Sequence, residues 1–347
     1  MLSRRAVVLC AVVVLQLQQQ GVQAHVAERL SEQDGAAAGA AGALAAGSPL
    51  RVPDVALNNG VRMPMVGLGT WQYNETTAYK ASKLALQVGY RHLDTAVIYG
   101  NARGVGRAVR EWLNETGAKR SEVFITTKIG GGYNRSHAAA ALDGALDELG
   151  MSYVDLMLVH MPSTWELEGG PKARIEGWSA MEDFYHAGKA RAIGVSHFCK
   201  RHLLDVINHG TVLPAVNQVE FHIGMGSAGP DATDDRDFVE AAGILYQSFS
   251  PLCGPCNTRE LLDGEMVTRI GSKYGKSGAQ VSLRWQVQQG IPVIPKTDTK
   301  KHLLENADIF DWELDEEDMG ELTAAESPPA TGGPNSTSGD CTIARRR

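Results

Sequence analysis

Gly89-Tyr-Arg-His-Leu-Asp-Thr-Ala-Val-Ile-Tyr-Gly-Asn-Ala-Arg-Gly-Val-Gly106 decides how this chain is read. Arg91 to Ala96 predict a short buried strand, followed by a polar turn and a helix. Asp94 stands at the strand's end, and Tyr99 follows five residues later in the turn. A carboxylate and a phenol at the C-terminal end of a strand lie where α/β barrels place their chemistry. Two later apolar runs end on polar residues in the same way. Lys128 closes Val123-Phe-Ile-Thr-Thr-Lys, and His160 closes Val154-Asp-Leu-Met-Leu-Val-His. Taken singly, a strand-end Asp is usually a helix cap and a strand-end Lys is usually solvated. Four such residues ending three successive strands can instead converge on one point.

Their chemistry would be mutual. A tyrosine with a reference pKa of about 10 is a poor acid at neutral pH. A neighbouring ammonium such as Lys128 is expected to lower it, with Asp94 holding that ammonium charged and in place. His160 would hydrogen-bond the oxygen that the phenol serves. A proton donor aimed at a carbonyl oxygen implies hydride delivered to carbon by a cofactor.

The chain resembles the aldo-keto reductase family. The matching segments are Gly67-Leu-Gly-Thr-Trp71, the Gly89–Gly106 stretch, Ile125-Thr-Thr-Lys128, Tyr153-Val-Asp-Leu-Met-Leu-Val-His-Met-Pro162 and Gly194-Val-Ser-His-Phe198. Asn217-Gln-Val-Glu-Phe-His222, Ser248-Phe-Ser-Pro-Leu252 and Ile294-Pro-Lys-Thr297 follow in the family's order. The resemblance spans Pro53 to Glu326. It implies a (β/α)8 TIM barrel whose bottom is closed by an N-terminal β-hairpin. It also implies NADPH as cofactor, with NADH as the alternative, and a catalytic tetrad of Asp94, Tyr99, Lys128 and His160 with Tyr99 as general acid.

The same resemblance implies a cofactor set. Ser196 and Gln218 match the nicotinamide carboxamide contacts, and Thr70 and Asp94 also belong to the cofactor set. Phe249 stands where a tyrosine usually stacks on the ring, and a phenyl face can still stack. Ser250 and Leu252 match the pyrophosphate-side loop. Lys296 and Thr297 match the pair that grips the 2′-phosphate, and Glu305 and Asn306 match adenine contacts. Three departures stand out. His197 replaces the usual Asn and offers one donor and one acceptor. Met161 replaces a usual Trp, giving a more adaptable wall beside His160. His302 stands where an arginine usually forks the 2′-phosphate. Trp71 and Trp165 remain as aromatic walls of the substrate pocket, which Tyr99, His160 and Met161 complete.

The rest of the chain frames this core. Its 347 residues exceed a typical barrel of about 250. Residues 1–24 read as a signal peptide: Arg4 and Arg5, an apolar run from Ala6 to Leu17, and Val22-Gln-Ala24 as a cleavage site. An uncleaved anchor or the start of an organelle leader are the alternatives, so the expected destination is the secretory pathway, the extracellular space or an organelle. Residues 25–52, rich in Ala and Gly, read as a flexible linker. The barrel runs from 53 to 326, and residues 327–347 read as a disordered tail. Asn74-Glu-Thr, Asn114-Glu-Thr, Asn134-Arg-Ser and Asn335-Ser-Thr are glycosylation acceptor patterns, which also arise by chance.

Asn59-Gly60 between Val55-Ala-Leu-Asn58 and Val61-Arg-Met-Pro64 predicts the hairpin. Eight strands are expected at 65–70, 91–96, 123–128, 154–160, 192–196, 215–220, 245–250 and 292–295. Helices are expected at 78–88, 104–114, 137–149, 178–187, 201–208, 236–242, 279–289 and 300–306. Strands alternating with helices argue for a closed parallel sheet. A net charge of −7 gives no reason to invoke nucleic acid. The expected partner is a small carbonyl compound, met by a monomer with no stable membrane span. The alternative is a non-catalytic redox-sensing or binding protein that keeps the barrel and its pocket.

Cys10 lies in the leader, Cys341 in the tail, and Cys199 reads as an inert thiol. Cys253-Gly-Pro-Cys256 permits a small disulfide, a metal half-site or two unrelated loop thiols. No second C-x-x-C and no paired histidines lie nearby in sequence, so no metal site is assigned.

Overall fold

The computed structural model describes residues 50–163, 170–225 and 233–329. The leader, most of the linker, Trp165, Cys10, Cys341 and the tail from residue 330 lie outside the described residues.

The hairpin forms as the sequence predicts. β1 (Asp54–Ala56) pairs antiparallel with β2 (Arg62–Pro64), and Val55 faces Met63. Gly60 supplies the positive φ of +82° that the turn needs. Leu57 and Met63 pack on Phe124, Leu156, Leu158, Ala192, Ala215 and Val216. These residues belong to, or directly precede, the barrel strands. The hairpin thus plugs one end of the barrel with apolar side chains.

Seven parallel strands follow in sequential order: β3 (Leu68–Gly69), β4 (His92–Asp94), β5 (Phe124–Ile129), β6 (Val154–Val159), β7 (Ala190–Ser196), β8 (Val216–Glu220) and β9 (Leu245–Phe249). The eighth expected strand, 292–295, forms single bridges from Val293 to Val66 and to Ser248 rather than a ladder. It still closes the ring. Val293 N donates to Met65 O at 2.9 Å, and Ser248 N donates to Pro292 O at 2.9 Å. Pro292 and Pro295 have no N–H, which removes two ladder donors from a four-residue segment. The barrel is therefore nearly closed by regular strands and completed by this segment.

Helices fill the connections: α1 (Glu75–Val88), α2 (Ala102–Thr116), α3 (Arg135–Leu149), α4 (Gly170–His186), α5 (Lys200–His209) and α6 (Thr233–Ala241). Local signals set their ends. The Asn74 side chain accepts from Thr77 N at the start of α1, and Gly89 ends that helix at φ +113°. The segment between β9 and the eighth strand holds α7 (Glu260–Asp263), α8 (Glu265–Tyr274) and α9 (Gly278–Val287). α10 (Lys300–Ala307) and α11 (Glu316–Ala324) finish the described chain. Of these, α7, α8 and α11 were not expected from sequence. α11 buries only Asp318 and Leu322. Polar contacts dock it beside Leu322: Lys273 and Tyr274 of α8 donate to Asp318 at 2.6 and 2.7 Å. Apolar periodicity cannot register such a contact. No helix among the described residues is long and apolar enough to cross a membrane.

Candidate active site

The end of the barrel opposite the hairpin is polar inside. In register, Asp94 faces Thr126, so Lys128 lies two residues beyond it on the same side of the neighbouring strand. Its ammonium reaches the Asp94 Oδ1 at 2.5 Å and the Thr95 carbonyl at 3.1 Å. Both residues of the pair are 1 % exposed. The other Asp94 oxygen accepts from Gln218 Nε2 at 2.9 Å, across the barrel from β8. Gln218 donates also to Gln247 at 3.0 Å. Its two N–H groups are thus committed, and its carbonyl oxygen remains as an acceptor.

Tyr99 ends a single 3₁₀ turn, Val97–Tyr99, directly after β4. Its hydroxyl lies 3.5 Å from Lys128 Nζ. His160, immediately past β6, sets its ring edge-on to the Tyr99 ring at 5.5 Å between centroids. His197 follows at 6.1 Å from His160 and 4.8 Å from Phe249. The four strand-end residues singled out by sequence therefore converge.

They open onto a cavity of about 720 Å³. Thr70, Trp71, Met161, Ser196, His197, Gln218, Phe249, Ser250, Leu252 and Lys296 line it with Asp94, Tyr99 and His160. Thr70 Oγ1 donates to the backbone carbonyl of Asp94 at 2.9 Å, and Ser196 Oγ donates to the backbone carbonyl of Gln218 at 2.7 Å. Lys296 reaches Gln72 Oε1 at 2.9 Å and lies over the Tyr73 ring. Thr297, His302, Glu305 and Asn306 do not line the cavity. Thr297 and His302 sit at the entry to α10, and Glu305 and Asn306 lie within that helix.

The electrostatics correct one expectation. The Tyr99 pKa is raised well above its ordinary value, first by burial and then by the Asp94 charge. The nearby ammonium does not reverse this, because Asp94 neutralises it at 2.5 Å. Lys128 itself is lowered by burial, against the pull of Asp94. His160 is held well below the usual histidine value by burial, Lys128 and His197. The site in this state presents a neutral phenol and a neutral imidazole over one buried ion pair.

Sequence reasoning passed over several cavity residues, among them Ile98, Gln72, Glu220 and Pro255. Ile98 was within reach. It is an apolar residue in a polar turn next to Tyr99, and it is 56 % exposed. For the Cys253–Cys256 pair the structure takes the first of the readings left open, and for Cys199 it departs from expectation. Cys253 and Cys256 form a disulfide in the loop after β9, and Cys199 is disulfide-bonded rather than an inert thiol.

The family model for the Aldo/keto reductase family matches residues 65–327. The chain belongs to that family. It is 40% identical to a glyoxal reductase of Bacillus subtilis (strain 168) over 284 residues, covering 80% of this chain and 94% of the relative. It is 35% identical to the NAD(P)H-dependent D-xylose reductase of Scheffersomyces stipitis, covering 78% of this chain and 93% of the relative. Among solved structures it is similar to an aldo-keto reductase complexed with NADPH, with a TM-score of 0.72 and 34% identity. That match covers 79% of this chain and 88% of the other. As an aldo/keto reductase the chain is an oxidoreductase, and its barrel is the family's.

Against the aldo/keto reductase pattern, the buried His197 replaces an amide. Its Nδ1 has no hydrogen-bond partner among the described residues. An orphaned buried polar nitrogen beside Gln218 and the Phe249 ring suits a ligand that brings its own amide and aromatic ring. The residues present therefore fit a nicotinamide.

Proposed function

We propose that this chain reduces a small aldehyde or ketone to an alcohol, using NADPH, with Tyr99 as the proton donor. The observation that carries the reading is the placement of the Tyr99 hydroxyl. It lies 3.5 Å from the ammonium of the buried Lys128–Asp94 pair and beside His160, at the wall of a cavity lined by Phe249 and Gln218. A bound nicotinamide would supply hydride to the carbonyl carbon.

The chain's own groups do the remaining work. The phenol stays protonated because burial and Asp94 disfavour its anion, so it is a donor ready to protonate an oxygen that gains charge. Lys128 opposes the charge left on the phenol oxygen as the proton departs. Asp94 fixes Lys128, and Gln218 in turn fixes Asp94. His160, held neutral, can donate one N–H to the substrate oxygen without competing as an acid. Trp71, Ile98 and Met161 give the substrate apolar walls. The named relatives act on glyoxal and on D-xylose, which supports a small carbonyl compound as substrate.

The test is NADPH oxidation with a panel of small aldehydes and ketones, for wild type and Tyr99→Phe. The variant should keep its fold and its cofactor affinity, and lose at least about 10²-fold in kcat, the lower range for general acid catalysis. Equal rates would refute the role given to Tyr99.

A further inference from the structure

The loop after β9 holds a cluster of side chains that carbonyl reduction does not employ. His222, just past β8, faces the cysteine pair with its Nε2 3.8 Å from Cys256 Sγ. Its Nδ1 lies 2.7 Å from the Ile223 carbonyl oxygen. A carbonyl can only accept, so Nδ1 carries the proton and Nε2 presents its lone pair to the sulfurs. A metal-binding imidazole has this arrangement, with the outer N–H held by a backbone carbonyl.

The donor atoms of His222, Cys253 and Cys256 all lie within 4.8 Å of one another. A tetrahedral zinc with bonds of about 2.3 Å to sulfur and about 2.0 Å to nitrogen spaces its ligands by roughly 3.5–3.8 Å. The edge between Nε2 and Cys256 Sγ already has that length. The loop is also tightly built. Cys253 N donates to Ser250 O at 2.8 Å, and Cys256 N donates to Cys253 O at 2.9 Å. Ser250, Cys253 and Asn257 all hold left-handed backbone, at φ 50°, 50° and 58°. Non-glycine residues keep that conformation where their surroundings over-determine it. Cys253 is buried and Cys256 half-buried. Gly254 and Pro255, between the two cysteines, line the large cavity.

We propose that His222, Cys253 and Cys256 form a redox-gated site for one divalent cation of the zinc class, at the rim of that cavity. In the disulfide form the sulfurs carry no charge and the site is closed. A dithiol reductant opens it: two electrons and two protons pass to Cys253 and Cys256, and the reductant leaves as its own disulfide. The cation then takes two thiolates and Nε2, and the two thiol protons go to solvent. A fourth position is left for water. The site stands apart from the reading of Tyr99 as proton donor and does not depend on it.

The full chain, reduced with a dithiol and freed of it without air, would be titrated with Co2+ and then Zn2+. The thiolate-to-cobalt absorption band should reach its plateau at one equivalent and vanish as Zn2+ displaces the ion. The oxidised protein should show no band. Cys256→Ser and His222→Ala should each weaken binding by more than about 100-fold, beyond the loss typical of outer-shell partners. Circular dichroism of both variants would establish that they fold, and if His222→Ala does not, His222→Gln replaces it. Lack of a band in the reduced wild type, binding by the oxidised form, or binding that survives either substitution in a folded protein would overturn the site.

Discussion

His302 is the residue whose replacement says most about cofactor choice. The family's usual guanidinium would grip the 2′-phosphate with two parallel hydrogen bonds, which an imidazole cannot copy. His302 is exposed at the start of α10, where its backbone N–H donates to Thr299 Oγ1. Lys296, half-engaged with Gln72, is left as the nearby cation that lines the cavity. We expect NADPH still to be preferred over NADH, by a narrowed margin. His302→Arg should restore a charged hydrogen bond worth about 1.5–3 kcal/mol, which is about 10- to 100-fold in NADPH affinity. NADH affinity should stay unchanged. Fluorescence titration with both cofactors checks this, and equal gains for both would remove His302 from the phosphate site.

At the scale of elements, two glycines in neighbouring helices make opposite predictions. A β-carbon at Gly106 in α2 would stand 1.9 Å from the Leu149 carbonyl oxygen at the end of α3. That oxygen belongs to backbone, so the helices must move apart. Gly106→Ala should destabilise by about 1–3 kcal/mol or more. Gly144, within α3, has nothing within 4 Å of such a carbon. Gly144→Ala should stabilise by about 0.5–1 kcal/mol through helix propensity alone. Urea midpoints of the two variants should move in opposite directions, and a common direction would contradict the packing described. The same scale shows what could be read beforehand. Asn59-Gly60 announces its turn locally, and the strand-end positions of Asp94, Lys128 and His160 survive any small error in strand limits. The α8–α11 contact depends on Asp318 meeting Lys273 and Tyr274, which only the folded chain brings together. His222 likewise meets Cys256 across 34 residues, a pairing that spacing along the sequence does not reveal. Lys128 does not lower the Tyr99 pKa because the neutralising effect of Asp94 rests on a 2.5 Å contact that sequence cannot measure.

Across the whole molecule, buried neutral histidines tie stability to pH. Burial lowers the pKa of His92 to about 4 and of His197 to about 3, and holds His160 well below the ordinary value of 6.5. In the unfolded chain each would titrate near 6.5. Between that value and the folded one, the unfolded state binds the proton and the folded state does not. Stability therefore rises with pH in this window and is lost as pH falls below about 6.5. At pH 5 the difference is about 1.5 pH units, or about 2 kcal/mol each for His92 and His197. Ordinary carboxylates remain mostly ionised down to pH 5, so they do not mask the trend. Without cofactor, denaturant unfolding at pH 7 and pH 5 should show a loss of several kcal/mol. His92 is the cleanest probe, since it lies away from the cavity, with Nε2 3.0 Å from Thr126 Oγ1 and its ring edge-on to Phe124. His92→Gln should lower stability at pH 7, yet shrink the further loss at pH 5 by about 2 kcal/mol. Equal stability of the wild type at the two pH values would mean that these imidazoles take up protons in the folded barrel. In that case burial would not be what holds His160 neutral in the proposed site.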